Sequence, residues 1–272
     1  MTRPVTALVV DSMHVGDMGS VCLPAVPFKD GGAYVANAIQ DALFEFWKDM
    51  CRTKYDYLFI LGEVTDGPNR KEEGLGLWTT DVSLQAETGA GLLKMVKAKE
   101  RFMVYGSAYH IKDNPNSEQY VAELLGLDEE HHGHEMTVEL PIGKRTFNVH
   151  LQHAVPVSTA AWTYRTTAIA KELLMAELNK AELGDVTGVL RGHAHYYVEV
   201  KFGKQWGCIC PCWKVRDSYL VNKGGLGGIP RLGYVTLEFR DEYAAPHMEP
   251  HTLNLRDKGL TMVPRVRARK VA

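Results

Sequence analysis

The chain has almost no excess of charge of either sign. Its 31 Lys and Arg against 33 Asp and Glu give a formal net charge of −2. A field that weak excludes broad, non-specific attraction to nucleic acid or acidic membrane, although not a small local patch. Apolar runs are short: none approaches the ~20 residues of a spanning helix. The N-terminal "MTRPVTALVVDSMH" leads into a predicted strand, without the apolar core and small-residue cleavage site of a secretion signal. These absences predict a cytosolic protein with no membrane role. Repeats and low-complexity segments are missing too. The five cysteines are an odd number, and Cys208, Cys210 and Cys212 alternate in "CICPCW" with no second C-x-x-C pair. That spacing argues against a zinc ribbon or a disulfide framework, and alternate cysteines on a strand are expected to share a face and pack there. No serine-nucleophile elbow and no Cys–His pair of recognisable spacing is present. The glycine-rich "NKGGLGGIPRLG" does not link a strand to a helix as a phosphate loop does, so it is expected to be a plain loop.

What is present alternates. "VTALVVD", "YDYLFILG" and "RFMVYG" are predicted buried strands. Between them, "GAYVANAIQDALFEFWKDMCR" and "SLQAETGAGLLKMVKAKE" have helical spacing of apolar residues. "NSEQYVAELLG" is a predicted helix with Asn116 or Ser117 as N-cap. "MTVELPIG" and "RTFNVHLQH" form a predicted hairpin. "STAAWTYRTTAIAKELLMAELNKAE" is the longest predicted helix, and "VTGVLRG", "YYVEVKF", "GCICPCW" and "LGYVTLEF" are further strands. This order predicts α/β layers around a central sheet. The expected division is one domain over residues 1–256 and a basic tail over 257–272, solvated or touching an acidic partner.

Residues able to bind metal recur just after the predicted strands. Asp11 and His14 follow the first, and Glu63 and Asp66 the second. His110 follows the third, His150 and His153 come with the hairpin, and His193 and His195 follow the last strand of the α/β part. Sites in α/β sheets form outside the carboxyl ends of strands. A lone histidine there is usually structural; a series is a candidate centre. Imidazole with carboxylate suits zinc, manganese or iron better than calcium or magnesium. His150 and His153, three apart on a strand, must point to opposite faces.

The ordered set, ending in Gly192-His193-Ala194-His195, resembles the calcineurin-like metallophosphoesterases. "GSAYH", "QHAV", "YRTTAIAKEL", "RGHAHYY" and "PCWKVRDSY" resemble a phage and prophage branch. The resemblance implies a four-layer αββα sandwich and a phosphoesterase acting on a phosphodiester or nucleic acid. It implies two divalent ions, manganese first and zinc, iron or nickel as alternatives, with a metal-bridging hydroxide as nucleophile. By position, His14 and His195 would serve one ion, His153 and His193 the other, and Glu63 would bridge them in place of the usual Asp. His110 would be the leaving-group acid or a phosphate contact. A homo-oligomer or a phage-protein partner, in the host cytoplasm or on a virion, fits that branch.

Three departures bear on this assignment. The first motif of the family is Asp-x-His, whereas Asp11 stands three residues before His14 and Ser12 stands two before it. Asp11 can join the metal ligands only if the backbone turns there. Ser107 stands where the wider family has Asn, and Glu63 adds a methylene to the usual Asp. The alternative function is therefore a weakened or inactive relative acting as a binding or phage assembly component. Arg165, at a helix start in "AAWTYRTT", and Arg191 are candidate phosphate contacts; packing on the sheet and pairing with a carboxylate are the respective alternatives. "DEEHHGHE", with His131, His132 and His134, is expected to be a solvated loop, with an edge of the substrate cleft as the alternative.

Overall fold

The computed structural model describes residues 3–70, 73–111, 117–156, 164–216 and 229–262. Among them two sheets lie face to face. The first is six-stranded, in the order β13-β12-β1-β4-β5-β6, and the second five-stranded, β10-β11-β9-β8-β7. The first contains β1 (Val5–Val10), β4 (Lys54–Ile60), β5 (Lys97–Val104), β6 (His132–Gly133), β12 (Gly233–Phe239) and β13 (His247–Thr252). The second contains β7 (Glu135–Ile142), β8 (Arg145–Gln152), β9 (Gly188–Arg191), β10 (Val198–Phe202) and β11 (Gln205–Ile209). A two-stranded ribbon, β2 (Ala25–Pro27) with β3 (Ala33–Val35), stands apart.

Alternation along each strand builds the layers. On β1, Ala7 and Val9 join Phe59, Val149, Leu151 and Leu190 between the sheets. Leu8 and Val10 face the other way, into a core with Leu43 and Trp47 of α1 (Ala38–Cys51) and Leu92 and Leu93 of α2 (Val82–Lys94). Val121 of α4 (Ser117–Leu125) closes that side. Behind the second sheet, Val189 and Ile209 meet Ala168, Ile169 and Leu173 of α5 (Arg165–Leu178). The short helices α3 (Ala108–Ile111) and α6 (Lys180–Leu183) complete the set. The order helix, sheet, sheet, helix is the four-layer αββα sandwich.

All three alternating cysteines are buried, but only two of them share a face, because β11 ends at Ile209. Cys208 and Cys210 lie between the sheets, and Cys212 crosses into the core on the helix side of the first sheet. Several element boundaries differ from expectation. The first long helix starts at Ala38, because Asn37 caps it with a side chain that accepts from Ile39 and Gln40. The stretch before it pairs as β3 with β2. The second long helix stops at Lys94, and "KAKE" instead opens β5, where Lys97 pairs with Lys54. "DEEHHGHE" is not simply a solvated loop: His132 pairs with Met103 as β6, and His131 stacks on Phe102. Packing continues past the expected boundary at 256, since Leu260 and Met262 lie against the helix-side core. Residues 222–228 of the glycine-rich stretch and Trp162 lie outside the described residues. No helix among the described residues is long and apolar enough to cross a membrane.

Candidate metal centre

Parallel pairing brings the strand ends together. In the first sheet β1, β4 and β5 are parallel, with Val10 beside Ile60 and Ile60 beside Met103. In the second, β8 and β9 are parallel, with Gln152 beside Arg191. Five carboxyl ends thus open onto one edge of the sandwich, carrying His14, Glu63, His110, His153 and the His193–His195 pair.

The backbone there is contorted. Seven non-glycine residues are described with positive φ, and five of them are Ser12, His14, Glu63, His193 and His195. Such conformations persist only where the surroundings enforce them. Here loop-to-loop hydrogen bonds do so: the Ser12 and His14 amides donate to the Gly62 and Glu63 carbonyls at 3.0 and 2.8 Å. The Gly192 amide donates to the His153 carbonyl at 2.9 Å, and the Arg231 amide to that of His195 at 2.8 Å. Gly106 is required by contact: a Cβ there would meet Glu63 Cγ at 2.6 Å.

Glu63 is the centre of the arrangement. Its Oε2 lies 3.1 Å from His14 Nε2 and 4.0 Å from His195 Nε2, and the two imidazole nitrogens are 3.1 Å apart. Its Oε1 lies 3.1 Å from His153 Nε2 and 3.5 Å from His193 Nδ1, which are themselves 3.3 Å apart. Each carboxylate oxygen therefore faces its own pair of imidazole nitrogens. His14 Nδ1 is tied to Asp66 Oδ1 at 3.0 Å and His153 Nδ1 to the Leu61 carbonyl at 2.6 Å. Those outer bonds hold the rings with Nε2 toward Glu63, as metal-ligating histidines are held. Glu63, His14 and His153 are buried, whereas His193 is 42% exposed and forms the open side.

The electrostatics match a site built for cations. Burial pushes the Glu63 carboxyl up, but His153, His110 and His14 outweigh it and hold it well below the usual carboxylate range. Burial and Lys214 push His14 down, yet Asp66 and Glu63 raise it to about 9. His153 is likewise raised against the effect of its burial, by Glu63 and Asp11. Burial keeps His195 below its ordinary value. A divalent ion at these nitrogens would bind in competition with protons. Pairs of facing imidazole nitrogens, each sharing one carboxylate oxygen, fit two divalent ions of the imidazole-binding kind.

The other candidates fall as follows. Asp11 belongs to neither imidazole–carboxylate group. Its Oδ1 lies 3.4 Å from His153 Nδ1, and its Oδ2 accepts from the Ser12 hydroxyl at 2.9 Å, so it stands behind His153. The turn at Ser12 does not bring Asp11 forward, and the Ser12 hydroxyl is spent on Asp11. His110 flanks the centre, with Nε2 at 3.8 Å from Glu63 Oε1 and Nδ1 at 2.6 Å from the Asp66 carbonyl. Arg165 lies at the start of α5 with its guanidinium 4.1 Å from the centre of the Tyr196 ring. Arg191 points away from the centre, toward α5, and is buried against Glu172 at 2.7 Å. It takes the carboxylate pairing, because adjacent residues of β9 alternate and Leu190 occupies the inter-sheet face. His150 is the structural histidine, 3.2 Å from Arg191 Nη1. Ser107 Oγ donates to Glu63 Oε1 at 2.5 Å. Asp66, named among the residues able to bind metal but given no role, bonds to Lys214, whose Nζ lies 2.8 Å from its Oδ1 and which was not expected. Asp66 had a weak signal in its place after a strand; Lys214 had none, since it arrives from 148 residues away.

No protein-family model matches the chain, and no curated protein matches it. Among solved structures, it is similar to zinc-complexed Vps29 from Entamoeba histolytica at 15% identity and a TM-score of 0.44, over 92% of this chain and 100% of that one. It is similar to a predicted phosphoesterase from Streptococcus pneumoniae at 13% identity and a TM-score of 0.42, over 93% and 91%. An archaeal phosphodiesterase aligns at 10% identity and a TM-score of 0.45, over 92% and 100%. At these identities the likenesses assign neither activity nor partner to this chain.

Proposed function

We propose that the chain is a metal-dependent phosphoesterase of the calcineurin-like type, acting on a phosphodiester. The observation that carries this reading is Glu63, whose two oxygens each face a separate pair of imidazole nitrogens at 3.1–4.0 Å. Held there, two divalent ions would clamp phosphoryl oxygens and lower the pKa of a water molecule. Glu63, His14 and His195 would hold one ion, and Glu63, His153 and His193 the other. Manganese is the first choice, with zinc, iron or nickel as alternatives. Ser107 would fix the Glu63 carboxylate through its 2.5 Å bond. His110, tied through Nδ1, has Nε2 free to face a leaving group. Burial lowers its pKa, so as an acid it would serve only where Nε2 still carries a proton. Arg165, at the start of α5, remains a candidate contact for the substrate. A nucleic-acid substrate and a phage-type setting rest on the motif resemblance alone.

The position of Asp11 favours a second reading, a binding protein with a weakened centre. A metal count and a manganese-supplemented diester assay separate the two. The first reading expects two ions per chain, one after His193→Ala and none after Glu63→Ala, with diester turnover lost in both variants. A folded parent chain with no bound metal and no turnover in manganese, zinc, iron or nickel would sink it.

A further inference from the structure

A second cluster of charge lies beside the centre, and a lysine already occupies it. His14, Asp66 and His110 each offer a donor atom within 4.8 Å of the others. Asp66 Oδ1, however, receives the Lys214 ammonium at 2.8 Å as well as His14 Nδ1 at 3.0 Å. The same ammonium lies 3.2 Å from Asp17 Oδ2. Lys214 is 3% exposed and Asp17 7%. The surrounding backbone fixes both. The Gly19 amide donates to Asp17 Oδ1 at 2.6 Å, Ser20 bridges to Lys214, and the Trp213 and Val215 amides donate to the Ser12 and Gly19 carbonyls at 3.0 and 2.9 Å.

We propose that the Lys214 ammonium is the built-in cation of a third position, formed by Asp17 Oδ2 and Asp66 Oδ1 beside His14, and that it closes this position to divalent metal. Burying an ammonium is costly unless charge and hydrogen bonds offset it, and two carboxylates do so here. Without the ammonium, two buried carboxylates would face each other with no cation between them, a space that another cation fits. Carboxylate oxygens with imidazole nearby suit the ions already proposed for the centre. Lys214 is thus a positioning residue. Its 2.8 Å bond fixes the Asp66 carboxylate, Asp66 Oδ1 in turn holds His14 Nδ1 at 3.0 Å, and His14 Nε2 stays turned to Glu63. The lysine also limits the metal count, and in that respect the inference rests on the two-ion reading.

The test is Lys214→Met in the full chain, titrated with Mn2+ alone, counting bound metal by elemental analysis and following the melting temperature. The variant is expected to bind one equivalent more than the parent and to gain more melting temperature from Mn2+. The added Asp17→Asn change is expected to remove the extra equivalent. Equal counts and equal Mn2+-dependent shifts in parent and variant overturn the proposal. If Lys214→Met folds only with Mn2+, the proposal is supported; if it stays unfolded at millimolar Mn2+, the proposal fails. The parent's own count judges the two-ion reading separately, because only the difference between variant and parent bears on the third position.

Discussion

Glu63 and His150 show how burial sets opposite tasks for ionisable side chains. Glu63 stays charged because histidines surround it. His150 stays neutral: burial and the Arg191 guanidinium lower its pKa to about 4. An unfolded histidine titrates near ~6.5. Between those values the unfolded chain holds a proton on residue 150 that the folded chain lacks. This contribution to stability is therefore present above pH ~6.5 and is lost as pH falls toward about 4. His150→Gln is expected to lose that part of the pH dependence. Urea unfolding of both proteins at pH 7, 5.5 and 4.5 checks it; parallel profiles would contradict it. The residue types of the centre were legible, because His14, Glu63, His153, His193 and His195 each follow a strand. Which atom faces which was not, since that depends on Nδ1 bonds to Asp66 and Leu61 made across 52 and 92 residues.

At the scale of the element, the β9 loop carries two of the imidazoles, and Gly192 lets it pass Asp11. A Cβ on Gly192 would lie 2.0 Å from Asp11 Oδ1. Gly192→Ala must move the loop or the Asp11 segment, at a cost of about 1–3 kcal/mol. Metal binding should weaken with it, as His193 and His195 shift together. Gly91 in α2 makes a contrast: its nearest neighbour to an added Cβ is 3.8 Å away. Gly91→Ala should stabilise the chain by up to ~1 kcal/mol and leave the metal count unchanged. Thermal melts paired with metal titration distinguish the two; a harmless Gly192→Ala would refute the contact argument. Strand identity was readable from apolar runs. Boundaries were less so: "AYV" and "KAKE" carry helix-compatible residues, and their strand state comes from partners elsewhere in the chain.

For the whole molecule, the inter-sheet core keeps the two halves of the centre in register, because Glu63 hangs from one sheet and His153, His193 and His195 from the other. Phe239 of β12 joins them, with ring centroids 5.1 Å from Phe147 and 6.0 Å from Trp206. Phe239→Ala should cost about 3–5 kcal/mol, because a dense core closes such a cavity only in part. The expected signature is a lower denaturant midpoint with the metal count preserved below the melting temperature. A loss under ~1 kcal/mol would mean that the sheets are held chiefly by other contacts.

The layered α/β architecture was determined by the sequence itself, through alternating strands, amphipathic helices and their order. So were the chemical types of the candidate centre, since strand-end histidines and a carboxylate recur in a fixed order along the chain. Tertiary structure alone decided which of them converge. Side chains adjacent on an extended chain point to opposite faces, so one position of offset left Asp11 behind His153. The same packing delivered Lys214, unannounced by any motif, to Asp66, because the segments after β11 and β4 that carry these residues meet only once the two sheets have packed together.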